Sequence, residues 1–177
     1  FSKPSTHALE QATRLAGWYD ARLAVLHVRP TVTPHPDMPA DGAMAPWLEA
    51  ETEALRKKTS DACQAIIDAG TPVDVAVLHG EPVPLILAMA DSLPADLIVM
   101  GTHGASGFQH LMLGSVTEKV LRKATCPVLT VPPRALTAAP RPFTSVLCGV
   151  DFSDCSIKAV QLAASNARQS GAALSLL

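Results

Sequence analysis

Met100-Gly101-Thr102-His103-Gly104-Ala105-Ser106-Gly107-Phe108-Gln109-His110-Leu111-Met112-Leu113-Gly114-Ser115-Val116-Thr117 is the stretch whose reading decides the fold. Asp96-Leu97-Ile98-Val99 precedes it, an apolar, β-branched run that reads as a buried parallel strand. Ser115-Val116-Thr117-Glu118-Lys119-Val120-Leu121 follows and reads as a helix. The stretch is therefore a strand-to-helix connection with four glycines. Glycine lets a ligand approach the backbone closely. A helix start adds unpaired N–H groups and roughly half a unit of positive charge. Together these suit an anion, most obviously a phosphate.

An ordinary reading stands beside that one. Ser115 and Glu118 spell Ser-x-x-Glu, a capping box in which Ser115 serves its own helix. The loop is not a Walker A sequence, because no Gly-Lys-Ser/Thr follows it, and it is not Gly-x-Gly-x-x-Gly.

Outward from the loop, strands and helices alternate. Residues 4–17 read as a helix with Ala8, Leu9, Ala12, Leu15 and Ala16 on one face. Leu23–Val28 reads as a strand, and residues 29–46, with five prolines, as a long loop. A helix is expected over about 46–69, with Gly70 as its C-terminal cap. Val73, Val75 and Val77 alternate as in a half-exposed edge strand. Pro82 and Pro84 open the next helix, whose buried stripe is Val83, Ile86, Leu87 and Ala90, and Pro94 marks its end. Val128–Val131 is the last strand of this set, and residues 132–143 read as a proline-rich, semi-rigid linker. This order implies a parallel sheet with helices on both faces.

Composition narrows the function classes. The 177 residues suit one domain or one and a fraction, and 48% hydrophobic residues build a sizeable core. A net charge of −2 gives no electrostatic case for nucleic acid or a membrane surface. No apolar run reaches the ~18 residues of a spanning helix, and the first residues do not read as a signal peptide. Cys63, Cys126, Cys148 and Cys155 form no Cys-x-x-Cys pair and read as reduced, packing thiols of a cytoplasmic protein.

After the linker the chain repeats itself. Ser145–Val150 reads as a strand ending at Asp151, and Phe152, Ser153, Ser156, Ala159, Ala163, Ala167, Leu174 and Leu177 match Phe1, Ser2, Ser5, Ala8, Ala12, Ala16, Leu23 and Leu26. The offset is 151 throughout, which implies tandem domains rather than a solenoid. The expected organisation is a domain over 1–133 lacking its first strand, a linker over 134–143, and the start of a second copy over 144–177. The strand at 145–150 is expected to fill the empty central slot of the first copy, because unpaired buried backbone groups each cost ~1–3 kcal/mol.

The spacing Gly101, two residues, Gly104, nine residues, Gly114, Ser115 resembles the nucleotide-binding signature of the universal stress protein family. Asp-Leu-Ile-Val-Met-Gly-Thr-His-Gly before it and Val-Asp-Phe-Ser at 150–153 resemble the same family, in its tandem-domain type. The resemblance implies an α/β fold, a doubly wound parallel five-stranded sheet of order 3-2-1-4-5, like the adenine-nucleotide alpha-hydrolases. In such sheets ligands bind beyond the carboxyl ends of the strands. It implies that Gly101, Gly104, Gly114, Ser115, Val116 and Thr117 wrap phosphates, that Val28 and Met100 contact adenine, and that the aspartate after strand 1, here Asp151, binds ribose or supports a metal. His103 is expected as a turn or phosphate-side contact.

The leading expectation is a binding module for ATP, ADP or AMP, with Mg or Mn arriving on the nucleotide, in a stress-response signalling or protective role. A slow metal-dependent ATPase and a dimerisation module with an empty pocket are the alternatives. The sequence offers no positioned base and no arginine beside the loop, which efficient phosphoryl transfer would want. Val128, Leu129 and Val131 are expected on an edge strand that pairs with another copy or with the tandem domain. His27 reads as a core or rim histidine, and His7, His35 and His79 carry no pattern.

Overall fold

The computed structural model describes residues 3–30, 44–102, 113–132 and 143–177. The chain divides into two compact units, Phe1–Ala135 and Leu136–Leu177. The first unit contains α1 (Lys3–Tyr19), β1 (Leu23–Arg29), α2 (Met44–Asp68), β2 (Val73–His79), α3 (Pro82–Ser92), β3 (Ile98–Gly101), α4 (Ser115–Lys123) and β4 (Val128–Val131). The second contains β5 (Ser145–Cys148), α5 (Asp154–Ser170) and β6 (Ala173–Leu176). The two long intervals at 31–43 and 133–142, expected as a loop and a linker, fall outside the described residues.

Every ladder is parallel. β1 runs beside β2 from Leu23↔Val73 to Arg29↔His79, β3 beside β4 from Ile98↔Val128 to Gly101↔Val131, and β5 beside β6 from Ser145↔Ala173 to Cys148↔Leu176. The described strands form three two-stranded sheets, β1–β2, β3–β4 and β5–β6, and not the expected five-stranded order 3-2-1-4-5. The expectation that Ser145–Val150 completes the first copy is not met. A central strand needs both of its edges for its neighbours, and β5 has given one edge to β6.

Helices cover these sheets because their small or apolar residues recur at three and four positions. On α1, Ala8, Ala12, Leu15 and Ala16 are all buried, and the helix packs against β1, β3 and β4. On α2 the buried residues are Thr59, Cys63 and Ile66, and the helix packs against β2. Gly70 stands just past α2 with φ +90°, and its N–H meets the Ile67 carbonyl at 2.9 Å, which is the expected C-terminal cap. Pro82 opens α3 as expected, but α3 has no buried residue, so Val83, Ile86, Leu87 and Ala90 are half-buried rather than core.

Strand burial also differs from the sequence pattern. β3 begins at Ile98, takes in Met100 and Gly101, and is half-buried at all four positions. Along β2 only Asp74 is exposed, so the alternation expected of a half-exposed edge strand holds at Asp74 but not at Ala76 or Leu78. Among the thiols, Cys63 is fully buried, and burial pushes its pKa up. Cys148 is buried too, whereas Cys155 is exposed, so the packing role fits the first two.

Two helices correspond in length and position. α1 and α5 are both 17 residues long and both begin and end at an offset of 151. Ala12 and Ala163 are each 8% exposed, and Ala16 and Ala167 are each 6% exposed.

Gly80 and Gly17 predict opposite signs on substitution. Gly80 has φ +145°, and an added Cβ would stand 3.1 Å from Leu85 Cδ1. Gly80→Ala should cost about 1–3 kcal/mol in urea unfolding, mainly as backbone strain. Gly17 lies in α1 with open space where a Cβ would go, so Gly17→Ala should stabilise by about 0.5–1 kcal/mol.

Candidate functional site

The ends of the glycine loop are drawn together by backbone bonds. Thr102 follows β3, and its N–H reaches the Val131 carbonyl at 3.0 Å, extending the β3–β4 ladder by one residue. Its carbonyl accepts the Gly114 N–H at 2.7 Å. One hydrogen bond thus closes the loop at its base, and α4 starts at the next residue. A second tie comes from inside the helix. Thr117 is 4% exposed, and its Oγ1 donates to the Gly101 carbonyl at 2.9 Å. The end of β3 and the first turn of α4 are therefore held against each other.

The capping-box reading is corrected here. Gly114, not Ser115, is the N-cap of α4, and among the described residues no side chain caps the helix. Glu118 turns the other way and pairs with Arg122 at 3.1 Å. The helix start is left to offer its first N–H groups, with Ser115 exposed and Val116 half-buried. Gly114 has φ −59° and ψ 144°, a conformation open to any residue. What glycine supplies there is the missing side chain, not an unusual turn.

Met100 lies in β3 opposite Thr130, and Val28 in β1 opposite Leu78. β1 and β3 share no ladder. His103 and Gly104 lie outside the described residues. Asp151 belongs to the second unit, just after β5. Its Oδ1 accepts from the Ser153 backbone N–H at 2.9 Å and from Ser153 Oγ at 2.6 Å. Those bonds to Ser153 hold its carboxyl down at about 2. Ser153 is in turn the N-cap of α5, accepting the Ser156 N–H at 3.2 Å.

Four polar residues at the carboxyl ends of β1 and β2 escaped the sequence reading. Arg29 and His79 end their strands as neighbours in register. Arg29 pairs with Glu51 of α2. His79 Nε2 meets Thr52 Oγ1 of α2 at 2.7 Å. The signal available was that both residues close an apolar strand at equivalent positions. His27, two residues before Arg29, is half-buried, and its pKa is lowered by burial first and by surrounding positive charge, Arg29 and Lys58 included. It fits the rim role expected of it.

Comparison with known proteins is consistent with these features. The model of the universal stress protein family matches residues 1–132. The chain belongs to the universal stress protein family. The match spans a single domain, so the second copy inferred from the repeat lies outside it. Universal stress protein MJ0531 of Methanocaldococcus jannaschii is 34% identical over 134 residues, 73% of this chain and 76% of that protein. Universal stress protein YxiE of Bacillus subtilis is 34% identical over 137 residues, 73% of this chain and 92% of that protein. Among solved structures, the universal stress protein UspA from Lactobacillus plantarum superposes with a TM-score of 0.61 at 26% identity, covering 71% of this chain and 87% of that one. A universal stress protein solved in complex with cAMP superposes with a TM-score of 0.51 at 26% identity, covering 75% of this chain and 90% of that one. These neighbours share the α/β fold of the family.

The Asp151 turn of this universal stress protein is open to direct titration. NMR of the Asp151 carboxyl should give a midpoint near 2, against 3.8 for a free side chain. Because the folded value is depressed, the turn's stabilisation is present above the ordinary carboxylate value and is lost as pH falls through about 2. Ser153→Ala should move the midpoint up toward 3.8 by removing the hydroxyl donor, the largest cause of the depression.

Proposed function

We propose that this universal stress protein binds an adenine nucleotide (ATP, ADP or AMP) with its phosphates at the start of α4, in a stress-response signalling or protective role. One observation carries the reading. The N-terminus of α4 has no side-chain cap and is clasped to the end of β3 around a glycine N-cap. That geometry leaves donors and partial positive charge where a phosphate would sit. The cAMP complex of a structural neighbour supports the choice of an adenine nucleotide.

In this reading Gly101, Gly114, Ser115, Val116 and Thr117, with His103 and Gly104, surround the phosphates. Val28 and Met100 line the adenine side. A divalent cation such as Mg or Mn would arrive on the phosphates, which is how Mg is usually held, by one or two carboxylates and substrate oxygens. Asp151 would serve a second copy of the domain, a tandem arrangement supported by the matching bounds of α1 and α5. Its depressed carboxyl value keeps it an anion and an acceptor for ribose hydroxyls. β4 is the edge proposed for self-association or tandem pairing. Val128 and Leu129 are half-buried and remain available there, whereas Val131 is already 3% exposed.

Gly114→Val tests the phosphate role. Its backbone angles suit valine, so folding should be retained, while the added side chain blocks the approach to the helix N–H groups. ATP binding by calorimetry should weaken at least tenfold, about 1.4 kcal/mol. Equal affinity in both proteins would overturn the phosphate site.

Turnover distinguishes a binding module from an ATPase. Phosphate release should stay far below the ~1–10³ s⁻¹ common among enzymes. A sustained rate above about one per second that is lost in His103→Ala would assign the loop to catalysis instead.

A further inference from the structure

Helix α2 is longer than the sheet it covers. Its 25 residues span about 37 Å, whereas the seven residues of β1 or β2 span about 23 Å. The helix returns the chain antiparallel to the strands, so its excess length must project from one edge. The contacts say which. Thr52 of α2 meets His79, the last residue of β2, and Glu51 meets Arg29, the last residue of β1. The eight residues Met44–Glu51 that precede Thr52 therefore overhang the carboxyl edge by about 12 Å. That edge is where doubly wound sheets take their ligands.

The two halves of α2 are fastened differently. Thr59, Cys63 and Ile66 are buried in the second half, but none of residues 48–58 is buried. The first half is held by polar ties. The Thr52 hydroxyl has one proton, which goes to the Leu48 carbonyl at 2.6 Å. Thr52 Oγ1 must then accept from His79, which fixes the imidazole with its proton on Nε2. The Arg29–Glu51 ion pair lies alongside, and the Gly80 N–H closes the β2–α3 turn onto the Arg29 carbonyl at 2.9 Å.

We propose that the first two turns of α2 form a wall of the ligand site at the carboxyl edge, and that Arg29, Glu51, Thr52 and His79 are the positioning residues that hold it there. The proposal rests on the nucleotide reading above. The ties join one helix to the ends of two strands, so the wall keeps its place relative to Val28, which directly precedes Arg29.

Hydrogen exchange and calorimetry on the whole chain test it. ATP should slow amide exchange over residues 44–58 at least fivefold in the wild type and leave residues 59–68 unchanged. Thr52→Val, which keeps the shape and removes the acceptor, should weaken ATP binding at least fivefold, and Thr52→Ser should restore it to within twofold. The proposal is overturned if ATP binds without slowing exchange over 44–58, or if Thr52→Val binds ATP as the wild type does. The wild-type exchange measurement stands even where the variant folds poorly. Absence of any ATP binding to the wild type would remove the nucleotide reading, and the wall with it.

Discussion

A parallel strand cannot reach its neighbour without a return across the whole sheet, and the pairs β1 and β2, β3 and β4, and β5 and β6 are each joined through a helix or helices as that constraint requires. β1, β2, β3 and β5 are each followed by a helix, so within each unit strand carboxyl ends and helix N-termini fall on the same side. The hydrogen bond between Gly114 N–H and the Thr102 carbonyl works only because of this convergence. The buried hydroxyl of Thr117 adds a second tie at the same place, from the helix back to the last residue of β3. Together they give the start of α4 a fixed address without occupying its N–H groups.

The same edge carries a second polar assembly of different character. At the end of β3 the polar groups are backbone amides and a hydroxyl. At the ends of β1 and β2 they are side chains, Arg29, Glu51, Thr52 and His79, and they join a helix to the strands rather than leaving donors open. A hydrogen bond in this setting contributes about 0.5–1.5 kcal/mol, which is modest for the fold as a whole. It is large for residues 48–58 of α2, none of which is buried.

Element type and order were legible in the sequence because periodicity and punctuation agree. Pro82, Gly70 and the alanine stripe of α1 each give one local instruction, and the structure follows all three. Depth of burial was not legible. The alternation of β2 and the apolar run of β3 report what a strand can bury, while the neighbours on each face decide what it does bury. The capping box failed for a related reason. Ser-x-x-Glu fits a helix whose first residue is Val116, but the helix starts one residue earlier, with Gly114 as N-cap and Ser115 as its first residue. Part of the candidate site was legible, Gly101 and Gly114 by their spacing and Thr117 through the family resemblance that this spacing carries. The Thr52–His79 contact spans 27 residues and had no local pattern to reveal it.

The equal lengths of α1 and α5 place one sequence pattern in two surroundings. Ala12 and Ala163, and Ala16 and Ala167, are buried to the same degree, although α1 lies mainly on β3 and β4 and α5 lies on β5 and β6. Ala8 is buried and Ala159 is exposed. A larger side chain at 8, 12, 16, 163 or 167 would therefore meet packed neighbours, whereas one at 159 would meet solvent.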